Sequence, residues 1–306
     1  MRAGVVDLGT NSTRLLVADV EDGRVEEVER RTEITRLGEG VDERRKLLPL
    51  PIARVRNVLT DYRRELKRLG AERVLTIATS AVRDAENGEA FLGEIEWSYG
   101  FTTRLLTGEE EAALTLRGVA TGRRLDDGTL VLDVGGGSTE LITSAERTSL
   151  DVGSVRLTER HLHSDPPTRD ELEAAAHDVR ELLPDLEPTT AVGVAGTITT
   201  LAALELGGYD PERLHGYRLT REAVERQLER LASLPLSERR ELPGLEPERA
   251  PVILGGAVIV REVLDRYGLD GLDVSERDLL HGAALEAAEL PEPVEGGAPP
   301  GAYTCC

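Results

Sequence analysis

Lysine is almost missing from this chain: Lys46 and Lys67 are the only two among 37 basic residues, and arginine supplies the rest. Aromatic residues make up 3%, with one Trp, six Tyr and two Phe, so no aromatic cluster marks a base-binding pocket. The two cysteines, Cys305 and Cys306, are adjacent. They form neither a disulfide framework nor a metal knuckle. No apolar run approaches the ~20 residues that span a bilayer, and no membrane partner is expected. The first strand-like stretch, Val5-Val6-Asp7-Leu8, has no basic flank and no cleavage site before it. The expectation is a cytoplasmic chain without a signal peptide. A net charge of −20 argues against nonspecific nucleic-acid binding. It also means that any polyanionic ligand must be met by local cations, backbone N–H groups or a divalent metal.

What is present is an α/β pattern. A length of 306 residues suggests about two domains at roughly 100–200 residues each. Residues 4–8 read as a buried strand, 14–20 and 24–36 as a hairpin around Asp22-Gly23, and Ile52–Leu69 as a helix stopped by Gly70. Val74–Ala78 and Thr102–Leu106 read as strands, the latter followed by an acidic helix start at Glu109-Glu110-Glu111. A second strand–glycine–strand unit begins at 130–134. Helical patterns follow at 170–183, 197–206, 220–234, 251–267 and 277–289, with a strand at 191–194. From Pro291 onward the composition is that of a loose tail. Trp97 is expected in the core, and His161 and His163 on the surface.

The strongest internal signal is a repeat. Asp7-Leu8-Gly9-Thr10-Asn11-Ser12-Thr13-Arg14-Leu15 matches Asp133-Val134-Gly135-Gly136-Gly137-Ser138-Thr139-Glu140-Leu141, with Asp, Gly, Ser, Thr and Leu recurring at an offset of 126 residues. Such an offset indicates a duplicated domain. The boundaries are expected at 1–120, 121–290 and, for the tail, 291–306, with the last helix able to pack back on the first domain. Each loop follows an apolar strand and carries glycine where backbone approaches a ligand, so its N–H groups can form an anion nest. Ser and Thr hydroxyls add donors. The Asp ending each strand suits Mg²⁺, held through water, better than it suits an anion.

Neither the P-loop pattern nor the dinucleotide fingerprint is present; Gly135-x-Gly137-x-x-Glu140 fails at its last position. The repeats differ at one site: Arg14 in the first is Glu140 in the second. An Arg there can pair with phosphate and a Glu can bind metal or orient water; two plain surface side chains are the competing reading. Ala195-Gly196-Thr197 lies between a strand and a helix. It is either an anion site or an ordinary turn.

These residues, with Ala78-Thr79-Ser80-Ala81-Val82-Arg83, Gly108-Glu109-Glu110-Glu111-Ala112 and Gly153-Ser154-Val155-Arg156, resemble the Ppx/GppA family of exopolyphosphatases and guanosine pentaphosphate phosphohydrolases, within the actin-like ATPase superfamily. The resemblance runs from Gly4 to Leu285. It implies two ribonuclease-H-like domains with mixed sheets flanked by helices and a cleft between them. It implies Mg²⁺-dependent removal of a terminal phosphate from inorganic polyphosphate or from guanosine pentaphosphate (pppGpp). By the same resemblance Glu111 activates water, Asp133 and Glu140 match the family's second-loop acids and Arg83 contacts phosphate; with the loop reading, Asp7, Asp133 and Glu140 are the candidate Mg²⁺ holders, directly or through water, and Arg14 joins Arg83 on phosphate oxygens. Gly9, Thr10, Asn11, Ser12, Gly135, Gly136, Gly137, Ser138, Thr139, Gly196 and Thr197 then complete the phosphate site. For Arg83 a local pairing with Asp84 or Glu86 is the competing reading, and for Glu109–Glu111 simple stabilisation of a helix start. The chain resembles the short form of the family, and Ala113 replaces an Arg common after Glu-Ala. Short chains are therefore the expected substrate. Members of the family often form dimers, so a homodimer is possible. The rival readings are an actin-like small-molecule kinase and a nucleotide-switched binding protein.

Overall fold

The computed structural model of the chain describes residues 1–291. The expected tail therefore lies, except for Pro291, outside the described residues, as do Cys305 and Cys306. The first half runs β1 (Arg2–Leu8), β2 (Ser12–Glu21), β3 (Arg24–Ile34), α1 (Val41–Arg44), α2 (Pro49–Leu69), β4 (Arg73–Ala78), α3 (Ser80–Asp84), α4 (Gly88–Tyr99), β5 (Thr102–Leu105) and α5 (Gly108–Ala120). The second runs β6 (Thr129–Val134), β7 (Thr139–Ile142), β8 (Arg147–Leu150), α6 (Ser154–His161), α7 (Arg169–Leu182), β9 (Thr190–Val194) and α8 (Ala195–Leu206). It continues through α9 (Pro211–Leu214), β10 (Arg218–Thr220), α10 (Arg221–Ser233), α11 (Leu236–Arg239), α12 (Ile253–Arg266), β11 (Gly271–Val274) and α13 (Leu279–Glu289).

The strands form two mixed sheets, ordered β3-β2-β1-β4-β5 and β10-β11-β9-β6-β7-β8. Apart from the extra edge strand β10, the second order repeats the first. In each sheet the glycine loop joins the central strand to an antiparallel neighbour, while the next strand adds in parallel on the other side. The β2–β3 hairpin turns at Asp22 and Gly23, both at positive φ (48° and 76°). That is the type I′ geometry that matches strand twist.

The central strands are buried on both faces, so they read as apolar runs instead of alternating ones. On the first sheet, one face packs on α2, α3 and α4 through residues such as Leu59, Val82 and Phe91. The other packs on α5 and α13 through Leu114, Leu280 and Ala284. The second sheet buries Leu130, Leu132 and Leu272 against α7, α8, α10 and α12. Its other face meets Ala112 and Val119 of α5. One side of α5 therefore serves the first sheet and the other side the second. The chain enters the second sheet after α5 and returns from it as α13.

These two helices cross at bare backbone. A Cβ on Gly118 would lie 1.8 Å from the Asp278 carbonyl oxygen, and one on Gly282 would lie 1.9 Å from that of Leu114.

Three local expectations differ from the structure. Trp97 is 62% exposed, because α4 buries Gly88, Phe91, Leu92 and Ile95, a stripe that position 97 does not join. His161 is half-buried, with Nε2 3.0 Å from Asp178, whereas His163 is exposed. Elements α1, α4, α6, α9, α11, β8, β10 and β11 have no counterpart among the sequence expectations, since most are too short to show a full repeat.

Candidate active site

The two glycine loops are built alike. The Gly9 N–H donates to the Ser12 carbonyl at 3.0 Å, and the Gly135 N–H to the Ser138 carbonyl at 3.0 Å. They press against each other: a Cβ on Gly136 would lie 2.9 Å from Thr10 Cβ, and one on Gly137 2.4 Å from Ser80 Oγ. A side chain at either place would force its neighbours across the gap to shift. Both loops line a cavity of about 690 Å³, together with Asp7, Arg14, Glu111, Asp133, Gly196 and Thr197.

Arg83, Thr139 and Glu140 do not line that cavity, and each has a local reason. Thr139 is fully buried and its hydroxyl donates to the Val152 carbonyl at 2.6 Å. It fastens a turn and offers nothing to phosphate. Arg83 ends α3; its Nη1 donates to the Leu106 carbonyl at 2.8 Å and lies 3.4 Å from Glu111 Oε2. Its contacts are thus to the Glu111 carboxylate and the Leu106 carbonyl, and not to Asp84 or Glu86 as the local reading had it. Glu140 is fully buried beneath the second loop, with Oε1 accepting from Ser149 at 2.8 Å.

Strand register explains the division between the repeats. Asp7 stands opposite Arg14, and Asp133 stands opposite Glu140. The first pair is complementary: Arg14 Nε donates to Asp7 at 2.8 Å, and Nη1 goes on to Asp278 at 2.6 Å. Arg14, expected to hold phosphate, thus has its guanidinium committed to carboxylates. The second pair places two acids directly opposite each other, an arrangement that destabilises a sheet. Glu111, itself 7% exposed, adds a third.

The acidic triplet on α5 separates by role. Glu110 closes a capping box with Thr107, which is the simple helix-start function. Glu111 is turned inward instead. Burial, then the neighbouring Glu140 and Asp133, push its carboxyl well above the usual carboxylate range. Burial pushes Asp133 up to about 6, against the pull of Arg14, and Glu140 up to about 8, with Asp133 adding to the rise. Asp7 is raised by burial despite Arg14. Asp278 runs the other way: burial opposes it, yet Arg14 and Arg30 hold it well below the usual range.

The sign of the linkage follows. A buried carboxyl with a raised pKa keeps its proton in the folded state after the unfolded chain has lost it. Stability of the metal-free protein should therefore fall as pH rises from about 4 towards about 8. Asp278 contributes stability above the ordinary aspartate pKa and loses it only in acid. Urea unfolding in chelator at pH 6 and pH 8.5 checks this, with the lower midpoint expected at pH 8.5. A higher midpoint there would contradict the assignment.

Three buried carboxylate oxygens among the described residues have no hydrogen-bond partner, and two of them, Asp7 Oδ1 and Glu140 Oε2, belong to the repeated loop units. Hard oxygen donors left bare beside a loop of N–H groups fit a small divalent cation. No three acidic, His or Cys side chains among the described residues form a ready-made metal cluster.

Sequence reasoning missed Arg249. It lines the cavity beside Gly196, where a Cβ would lie 2.3 Å from its Nη1. Burial lowers its pKa, and its closest carboxylate, Glu246, is 3.6 Å away. Of the three guanidinium groups on the cavity wall, Arg14, Arg30 and Arg249, only Arg249 lacks a carboxylate oxygen within 3.0 Å. No short motif surrounds it, so only its place at the α8 N-terminus reveals it. There Ala195 adopts φ 67°, which turns the chain sharply from β9 into α8.

The sequence matches the Ppx/GppA phosphatase family over residues 16–290. It is 42% identical to Exopolyphosphatase 2 of Mycobacterium tuberculosis, covering 94% of this chain and 98% of that one. A crystal structure of an exopolyphosphatase from Cytophaga hutchinsonii is similar with a TM-score of 0.86 at 25% identity, over 95% of this chain and 99% of that one. The Aquifex aeolicus Ppx/GppA family member aligns with a TM-score of 0.77 at 34% identity, over 94% and 97%. A family match across residues 16–290 and 42% identity over nearly the whole chain establish that the chain belongs to the Ppx/GppA phosphatase family.

Proposed function

We propose that this chain is an exopolyphosphatase that removes the terminal phosphate of inorganic polyphosphate with the help of Mg²⁺. The observation that carries the reading is the uncompensated acid pair Asp133–Glu140 beside Glu111, set against two N–H-rich loops. Residues 1–120 and 121–290 act as the two domains whose loops meet there. Asp133 and the bare Oδ1 of Asp7, with the buried Glu140 behind them, would hold Mg²⁺ directly or through water, and the ion would supply charge neutralisation on the phosphoryl oxygens.

The loop amides and Thr10 and Ser12 hydroxyls bind the terminal phosphate. Arg249 and the α8 N-terminus bind one farther along. Glu111 accepts a proton from water as the water oxygen attacks phosphorus in line. The phosphorus–bridging-oxygen bond breaks, and the shortened chain leaves on that oxygen. The cavity wall also carries Glu27, Glu246 and Glu276, so longer chains meet like charge beyond the first units. That favours short substrates. A second reading, pppGpp hydrolysis, is favoured by one feature: Tyr209 lines the cavity with its hydroxyl 3.1 Å from Glu276, whose Oε1 is unpartnered.

Phosphate release from tripolyphosphate, long polyphosphate, pppGpp and ATP, each with and without Mg²⁺, tests the proposal. Fastest release is expected from tripolyphosphate with metal. Transfer to a sugar or carboxylic acid with no release to water would instead favour a kinase. Arg249→Met is expected to raise KM for tripolyphosphate roughly tenfold to a hundredfold, the usual worth of a charge-assisted hydrogen bond. Unchanged KM would remove Arg249 from the site.

A further inference from the structure

We infer that Arg156 is a positioning residue that clasps the two halves of the chain and keeps their phosphate loops in register. Arg156 lies in the first turn of α6, in the second half, and is 7% exposed. Its side chain crosses to the first half. Nη1 lies 3.1 Å from Asp42, and Nη2 pairs with Asp84 and donates to Ser80 Oγ at 3.2 Å. The same face of α6 adds two more bridges, as positions three and four residues apart do on a helix. Arg160 grips Asp42 with Nε at 2.7 Å and Nη2 at 2.9 Å, and Glu159 accepts from the Gly40 N–H at 3.1 Å.

Both ends of this clasp attach directly to the loops. On its own side, the backbone N–H groups of Val155 and Arg156 donate to the Gly136 carbonyl at 2.8 and 3.2 Å. Gly153 packs so closely that its Cβ would lie 2.5 Å from that carbonyl. On the other side, Ser80 is the residue against which Gly137 is pressed, and Thr10 faces Gly136. Arg156 thus holds Ser80 with its side chain and Gly136 with its backbone. A guanidinium can span two carboxylates and a hydroxyl at once, whereas an ammonium is a single point of charge. A phosphate gripped by both loops needs them at a fixed spacing, and misplacement by about 1 Å can cost on the order of a hundredfold in rate.

The test compares Arg156→Met, Arg156→Lys and Asp84→Asn with the wild-type chain. Two readouts are used, steady-state turnover of tripolyphosphate with Mg²⁺ and amide hydrogen exchange. In R156M, KM is expected to rise about tenfold and kcat to fall by up to about a hundredfold. R156K should recover part of both, and D84N should shift both the same way by less. Exchange should quicken at 9–12 and 135–138 while β1 and β6 keep their protection. Wild-type kinetics and loop exchange in R156M would overturn the proposal. So would faster exchange spread evenly over all elements with R156K no better than R156M, which is the mark of general destabilisation. If R156M does not fold, D84N decides, because Asp42 remains to pair Arg156. The kinetic arm rests on the exopolyphosphatase reading; the exchange arm does not, so failure of wild-type turnover and failure of the clasp are separate results.

Discussion

Glu111→Gln is expected to lower kcat for tripolyphosphate by about 10²–10⁴-fold, the range typical of losing a positioned general base, while KM changes by less than about threefold. The amide keeps the size and the contact with Arg83 but cannot take a proton. Glu111 is placed for the task by its position on the cavity wall and by Arg83, whose Nη1 lies 3.4 Å from its carboxylate. The mutant should also unfold at a higher urea concentration than wild type at pH 8, because one carboxylate is removed from a buried group of like charges. Single-turnover phosphate release measures the first effect. Wild-type turnover in the mutant would exclude Glu111 as base, and a tenfold rise in KM with unchanged kcat would mark it as a binding group.

Chelation of divalent cations is expected to abolish phosphate release, by at least about 10³-fold, with recovery on adding Mg²⁺. The argument is charge. The cavity wall carries Asp7, Glu27, Glu111, Asp133, Glu246 and Glu276 against Arg14, Arg30 and Arg249. Arg14 and Arg30 are already engaged by Asp278 at 2.6 and 3.0 Å. A phosphate chain entering that space brings more negative charge into a region where screening by water is weak. Backbone N–H groups cannot offset all of it. Asp133→Asn and Glu140→Gln should each raise the Mg²⁺ concentration needed for half-maximal rate, whereas Arg249→Met should not. Full activity in chelator would overturn the metal assignment and leave the acid pair without a function.

The glycine loops and the α/β order are legible in the sequence because they depend on local chemistry, whereas Glu111 is set apart from Glu109 and Glu110 only by the family resemblance. A tight turn needs Gly9 or Gly135 whatever surrounds it, and a repeat can be read by inspection. The second-sheet order follows from the first once the repeat is seen. What escaped depended on residues brought together from afar. Arg14 looked like a phosphate ligand because Asp278, its nearest partner, is 264 positions away. Arg249 had no motif at all. Thr139 matched the loop pattern, yet its hydroxyl points to Val152 because the strand alternation turns it inward. Trp97 failed for a simpler reason: hydrophobicity alone does not say which helix face a residue occupies.

The crossing of α5 and α13 has a mechanical meaning. Where Gly118 meets the Asp278 carbonyl and Gly282 meets that of Leu114, no side chain stands between the two passages of the chain. The contact acts as a fulcrum. A methyl group at either glycine is a wedge at the short arm of a lever, and the displacement it causes grows with distance from the fulcrum. Asp278 joins that fulcrum to the site, since its carboxylate binds Arg14 and Arg30. An added methyl that no catalytic group touches would therefore be read out as misalignment at the loops, much as a small error at a hinge pin becomes a gap at the edge of a door.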